Sequence, residues 1–136
     1  MQLRCDLLVV GAGPAGSALA AGAAQRGMDV ILLEAAHHPR AKACAEYASP
    51  RIVEELALIG LPADAWNDAA VALHGMRLFA GGTHVDLRYA DEAGPRVAWG
   101  LDRRRFDARL ARHAQAAGAR LLEGVHVTAL RRDHRR

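Results

Sequence analysis

Two short apolar runs, Leu7-Leu8-Val9-Val10 and Val30-Ile31-Leu32-Leu33, flank a segment that opens with Gly11, Gly13 and Gly16 and closes at Gly27. No other feature restricts the fold of this chain as much. Uninterrupted apolar runs of this length suit strands buried on both faces of a parallel sheet. Pro14 stands at the first position of the intervening helix, where its missing N–H costs nothing, and Gly27 is placed to end that helix in the left-handed region. The spacing predicts a helix of about thirteen residues. Two parallel strands joined by one helix must cross over right-handed, so the opening of the chain reads as a βαβ unit.

The three glycines have the GxGxxG spacing, and each has a steric task. The first makes a tight turn, the second lets backbone approach a pyrophosphate, and the third allows close packing of helix on strand. The helix N-terminus adds unpaired N–H groups and partial positive charge, so Gly11, Gly13, Pro14, Ala15 and Gly16 form a candidate pyrophosphate site that needs no basic side chain. Glu34 ends the second run, about twenty residues after Gly11, which places a carboxylate to accept from ribose hydroxyls and disfavours a 2′-phosphate. The competing interpretation is an Ala/Gly-rich helix entry without ligand. These residues serve NAD and FAD equally well.

Beyond residue 34 the pattern changes twice. Ser49 and Pro50 suit the N-cap and first residue of a second helix, with Ile52, Val53, Leu56 and Ile59 on one stripe, Glu54 and Glu55 exposed, and Gly60 at its end. Met76-Arg77-Leu78-Phe79, the Gly81-Gly82 turn and Val85-Asp86-Leu87-Arg88-Tyr89 predict a hairpin, with residues 96–99 as a third strand. Asp102 is the expected cap of a third helix that places Phe106, Leu110, Ala114 and Ala117 on one face and ends at Gly118. Residues 120–123 and 125–130 read as two strands divided by Gly124, before a basic tail over 131–136.

Composition narrows the function classes. The chain of 136 residues has 51% hydrophobic residues, enough for one core. Its formal charge of +3 and 4% aromatic content give nucleic-acid binding by base stacking little support. Cys5 and Cys44 form no CxxC pair, which indicates neither a disulfide framework nor a zinc site and fits a reducing, cytoplasmic setting. Residues 7–24 are uncharged and follow Arg4, as in an export signal, but Asp6, four glycines and Pro14 interrupt the continuous apolar helix such a signal needs. The same glycines leave no convincing membrane span. His37 and His38 are adjacent and expected to point in opposite directions, and the other histidines lack metal-ligand spacing. Trp66 and Trp99 are expected to pack in a core or between domains. No catalytic acid, base or nucleophile can be named.

Two further segments point to a family. Pro39-Arg40-Ala41-Lys42-Ala43-Cys44-Ala45-Glu46, followed by Ser49-Pro50, resembles the PRxKxCG loop of the geranylgeranyl-reductase-like and aromatic-hydroxylase-like FAD oxidoreductases, with Ala45 at the usual glycine. Arg103-Arg104-Arg105-Phe106-Asp107-Ala108-Arg109-Leu110 resembles the RxxFDxxL helix start of the same superfamily. Three cations in the first turn of a helix oppose its dipole, each by about 0.3–1 kcal/mol, which a bound anion would relieve. An arginine-rich solvated face is the alternative.

The resemblance implies FAD as cofactor, with the glycine turn at the pyrophosphate, Glu34 at the adenosine ribose, and Arg40, Lys42, Cys44 and Arg103 on the flavin side. It implies a hydride passed through the flavin to an alkene or to oxygen chemistry, with NAD(P)H as reductant of the parent enzyme. The expected fold class is α/β, a Rossmann-type FAD-binding βαβ with an antiparallel hairpin insert, truncated before the later strands of the sheet. Residues 1–136 would then be the N-terminal part of an FAD-binding domain: βαβ over 4–34, cofactor loop and helix over 35–60, hairpin insert over 75–99, helix and strands over 102–131. Missing strands would leave residues 7–10 an apolar edge for another chain to complete. Two rival readings are an NAD-binding dehydrogenase domain and a non-catalytic remnant.

Overall fold

The computed structural model describes residues 2–131. In chain order its elements are β1 (Leu7–Val10), α1 (Pro14–Gln25), β2 (Val30–Glu34), β3 (Tyr47–Ala48), α2 (Ile52–Ala57), two 3-10 turns (Ala63–Ala65 and Asn67–Ala69), β4 (Ala70–Leu73), β5 (Gly75–Ala80), β6 (Thr83–Arg88), β7 (Ala90–Asp91), β8 (Gly94–Pro95), β9 (Ala98–Leu101), α3 (Arg103–Ala116) and β10 (Arg120–Glu123). They divide into two compact units, one of residues 2–40 with 110–131 and one of residues 41–109, so α3 begins in the second unit and ends in the first.

The first unit is built on a parallel sheet in the order β1-β2-β10, with Val10 opposite Leu33 and Glu123 opposite Glu34. Helix α1 packs on β1 and β2. Its buried face is Ser17, Ala20, Ala21, Gly22 and Ala23, side chains small enough to bring helix backbone close to the sheet. Val30, Ile31 and Leu32 of the central strand are buried. The expected burial of β1 on both faces is not what the structure shows: Val9 is buried, but Leu8 is 48% and Val10 61% exposed. The cause is the alternation of side chains along an edge strand: Val9 lies on the face that α1 covers, against Gly16, while Leu8 and Val10 lie on the other face, and β1 has β2 on one side and no strand on the other among the described residues. At the start of the sheet, Asp6 accepts from the Asp29 N–H at 2.9 Å, and Arg120 donates to the Asp29 carboxylate and the Arg4 carbonyl. These exposed pairs contribute little individually.

The three α-helices among the described residues stop in one way. Gly27, Gly60 and Gly118 have positive φ, and the paired bonds Gly27 N–H to Ala24 and Met28 N–H to Ala23 recur as Gly60 to Ala57 with Leu61 to Leu56, and Gly118 to Gln115 with Ala119 to Ala114. This pattern satisfies terminal carbonyls that have no partner within the helix. Starts are less uniform. Asp102 caps α3 as expected, its Oδ1 accepting from the N–H groups of Arg104 and Arg105 at 3.0 and 3.2 Å. By contrast, Ser49-Pro50-Arg51-Ile52 is a turn closed by Ile52 N–H to the Ser49 carbonyl at 3.1 Å, and α2 begins only at Ile52. Proline in the second position of that turn is the ordinary use of its fixed φ.

In the second unit β9 is the middle strand of an antiparallel sheet, between β3 and β4. The strand expected over 96–99 is therefore shifted to Ala98–Leu101, because the Arg96 N–H donates to the Tyr89 carbonyl and closes the small β7/β8 ribbon instead. The hairpin is β5 with β6, turned by Gly81 and Gly82 at φ +55° and +81°. Its one face carries Met76, Leu78, Val85 and Leu87, all exposed, and the other a bidentate Arg77–Asp86 pair at 2.6 and 2.8 Å. Residues 125–130 do not form the expected strand: β2 already has β1 and β10 on its two edges, Gly124 turns the chain, and Val125 N–H bonds the Glu34 carbonyl at 2.9 Å.

No helix among the described residues is long and apolar enough to cross a membrane. The run over 7–24 is a strand, a glycine turn and a helix rather than one apolar helix. The basic tail expected over 131–136 lies, beyond Arg131, outside the described residues.

The core of the second unit is aromatic. Trp66 is wholly buried and meets Trp99 edge-on at 5.2 Å and Phe106 edge-on at 5.7 Å between ring centroids. Edge-to-face pairs add about 0.5–1.5 kcal/mol beyond the area they bury. Phe106→Ala is expected to cost about 3–5 kcal/mol, read as a lowered urea midpoint with intrinsic tryptophan fluorescence as probe.

Candidate functional site

The glycine turn lies between β1 and α1 in the first unit. Gly11 has φ +96°, a conformation that L side chains rarely adopt, and its N–H donates to the Leu33 carbonyl at 2.7 Å. At Gly16 the requirement is space, since a Cβ there would sit 2.0 Å from the Gly11 carbonyl oxygen and 3.3 Å from Val9 Cγ1. Gly13 caps α1 at φ −80° and ψ −174°, backbone open to any residue, so conformation alone does not demand glycine. Its carbonyl accepts the first helical bond, from Ser17 at 2.9 Å, while its N–H has no acceptor among the described residues. Gly13, Pro14 and Gly16 are half-buried and Ala15 exposed, so the first turn of the helix is open to a ligand.

Glu34 is drawn into this turn. Its Oε2 accepts from the Ala12 N–H at 2.9 Å and from Arg40 Nη2 at 3.0 Å, and its Oε1 from the Ala36 N–H at 3.2 Å. Burial alone would raise the carboxyl's pKa; Arg40 and the two backbone N–H groups outweigh it and hold it down to about 2. A carboxylate has about four acceptor positions, which leaves Oε1 one for a ligand hydroxyl. The turn, the open helix terminus and this remaining position fit the adenosine diphosphate half of a dinucleotide.

Sequence reading missed the part played by His38. The adjacent histidines do not diverge: both reach the Glu123 carboxylate, exposed His37 through Nδ1 at 3.7 Å and His38 through Nδ1 at 2.6 Å. The His38 side chain is only 6% exposed, its backbone N–H also donates to Glu123 at 2.9 Å, and its Nε2 lies 3.1 Å from the Ala12 carbonyl oxygen. Burial works to raise the Glu123 carboxyl, but the N–H groups and ring of His38 bring it below its usual value. No local pattern in the sequence announces this contact, because Glu123 lies 85 residues away.

In the second unit the structure brings Cys44 and Arg103 together. Arg103 Nη1 donates to Cys44 Sγ at 2.6 Å, and its Nε and Nη2 form a bidentate pair with buried Asp107 at 2.7 and 3.0 Å. The Cys44 thiol is held below its ordinary pKa by the Glu46 N–H and by the Arg103 guanidinium. Glu46 itself has φ +55°, so the left-handed residue of this loop is one place after Ala45. Lys42 is exposed and makes no hydrogen bond or ion pair among the described residues. Arg105 pairs with Asp68 at 2.7 Å, and Arg109 bonds the Asp68 carboxylate and the Ala65 carbonyl. The dipole conflict read from three consecutive arginines is thus answered within the chain for Arg103 and Arg105, without an anion.

Two measurements follow from this geometry. Gly16→Ala forces backbone apart and is expected to cost about 1–3 kcal/mol or more of folding free energy, read by urea denaturation. Glu34 has its carboxyl at about 2 in the folded chain against an ordinary 4.5, so its contribution is complete above about pH 4.5 and lost as pH falls toward 2. Wild type is expected to exceed Glu34→Gln by the order of 3 kcal/mol at neutral pH, the gap closing across that window.

The sequence profile of the FAD binding domain matches residues 4–136. Menaquinone reductase of Mycolicibacterium smegmatis is 38% identical over 133 residues, which is 98% of this chain and 32% of that protein. Digeranylgeranylglycerophospholipid reductase of Methanothrix thermoacetophila is 36% identical over 121 residues, 88% of this chain and 30% of that protein. A flavoprotein/dehydrogenase structure from Cytophaga hutchinsonii superposes with a TM-score of 0.81 at 28% identity, covering 94% of this chain and 32% of that one. The chain spans about a third of the length of the curated relatives it matches. The choice between NAD and FAD left open by the glycine turn is decided for FAD, and the chain belongs to the family of FAD binding domains found in flavin-dependent oxidoreductases.

Proposed function

We propose that residues 1–136 are the N-terminal, cofactor-holding part of an FAD-dependent reductase acting on a lipid with an isoprenoid chain, in the cytoplasm, with NAD(P)H as reductant. The observation that carries this reading is the preformed turn: Glu34 holds Ala12 from one side while the Gly13 N–H and the first turn of α1 stay open. Reduction is favoured over hydroxylation because the two relatives named above, at 36–38% identity, are by name a menaquinone reductase and a digeranylgeranylglycerophospholipid reductase.

On this reading Gly11, Gly13, Pro14, Ala15 and Gly16 receive the pyrophosphate through backbone N–H groups and the helix dipole. Glu34 accepts from the adenosine ribose with its remaining Oε1 position. Lys42, Cys44 and Arg103 belong to the flavin side, as the family resemblance implies, whereas Arg40, which that resemblance also puts there, is bonded to Glu34 at 3.0 Å and so stands at the adenosine end. When bound, FAD supplies hydride transfer, and the protein supplies orientation and electrostatics. Arg103, anchored on Asp107, holds a fixed positive charge beside Cys44. Strands from the same protein or another chain would pair with the open backbone edge of β1.

The test has two stages. Purified chain mixed with FAD and desalted should keep the near-ultraviolet and blue flavin absorption bands; their absence defeats the cofactor-holding role. In the longest form of the protein that contains this segment, NADPH oxidation under nitrogen should depend on added isoprenoid lipid. Oxidation that instead requires oxygen would replace the reductase assignment with a monooxygenase.

A further inference from the structure

The Ala12 peptide units are gripped at both polar ends. The Ala12 N–H donates to Glu34 Oε2 at 2.9 Å, and the Ala12 carbonyl oxygen lies 3.1 Å from His38 Nε2. A carbonyl can only accept, so the ring donates from Nε2. On the other side of the ring, Nδ1 lies 2.6 Å from Glu123 Oε1. The ring therefore bridges β10 and the glycine turn, with one nitrogen on the Glu123 carboxylate and the other on the Ala12 carbonyl.

What that fastening decides is the next N–H. The Ala12–Gly13 peptide is trans, so its carbonyl and its N–H point in opposite directions. With the Ala12 oxygen drawn toward His38, the Gly13 N–H faces away from it, and it has no acceptor among the described residues. Glycine at 13 does not itself resist rotation of this peptide, because it tolerates both signs of φ. Rotation would turn a carbonyl oxygen toward the ligand and replace an attraction for an anion with a repulsion. Something outside the turn must hold the plane, and the atom in place to do so is His38 Nε2.

We infer that His38 is a positioning residue for the cofactor: by holding the Ala12 carbonyl it fixes the Ala12–Gly13 peptide with the Gly13 N–H presented to a phosphate oxygen of the dinucleotide. The inference rests on the dinucleotide site described above and adds to it a side chain that touches no ligand. Glu123 serves the same task at one remove, since it sets the orientation of the ring.

Asparagine and glutamine divide the two ends of the imidazole. Asn at 38 keeps a donor near the Nδ1 position and so retains the tie to Glu123; Gln keeps one near Nε2 and so retains the hold on Ala12. A residue that only packs the loop against β10 would tolerate His38→Asn better than His38→Gln. The positioning role requires the reverse: His38→Gln within about threefold of wild type in the dissociation constant for FAD, and His38→Asn weaker by about tenfold or more, the loss expected when a hydrogen bond to a charged group is removed. Apo-protein melting temperatures, measured alongside, separate this from general loss of fold. The Gly13 amide resonance in FAD-free protein is the second readout. It should stay at the wild-type position in His38→Gln and shift or broaden in His38→Asn. Equal affinities for the two variants, or a Gly13 resonance unmoved in both, overturns the inference. If wild-type chain retains no FAD, the cofactor-holding role fails by that result, while the Gly13 resonance still decides for or against His38.

Discussion

The Glu34 carboxylate is the contact on which the geometry of the first unit turns. It ends the central strand, where Glu123 of β10 stands opposite it, and it accepts from Ala12, Ala36 and Arg40 at once. A buried carboxylate is costly unless it is paired and hydrogen-bonded, and here three donors meet that condition. One of them is the backbone of the glycine turn itself, so the same interaction that stabilises the acid also shapes the ligand-facing loop. Stability and cofactor geometry are linked through one side chain, and the low pKa of Glu34 is the electrostatic signature of that link.

Charge is handled differently in the second unit. The arginine-rich start of α3 looks from the sequence like an unsatisfied patch, yet Arg103 is forked onto Asp107 one turn along, and Arg105 and Arg109 converge on Asp68. The bidentate arrangement suits the planar guanidinium and leaves Nη1 of Arg103 for Cys44. Arg103 is therefore a rigid cation, positioned by a buried acid. Arg105 and Arg109 are structural fasteners that secure the 3-10 turns beside the aromatic cluster of Trp66, Trp99 and Phe106.

Elements whose cause is local were legible in the chain. The glycine stops at 27, 60 and 118, the Asp102 cap and the Gly81-Gly82 hairpin turn each depend on a few neighbouring residues, and the structure has each of them. Elements whose cause is a neighbour in space were not. The strand at Ala98–Leu101 lies where β3 and β4 offer partners, two residues beyond the apolar pattern, and residues 125–130 form none because β2 has no free edge for them. Ser49 and Pro50 have the composition of a helix start, but the turn they close ends before α2 begins.

The order strand, glycine turn, helix, strand, acid was determined by the sequence alone, since buried apolar runs, a proline at the first helical position and glycine at φ +96° admit few alternatives. That order was enough to indicate a dinucleotide site. Tertiary structure decided which groups complete it. Arg40 beside Glu34 follows within six residues, but the His38–Glu123 contact spans 85, and the Asp68 carboxylate that takes up Arg105 and Arg109 lies 37 and 41 residues before them. Hydrogen bonds across such separations leave no periodicity in the chain, because the partners are brought together only when the strands pair and the helices pack.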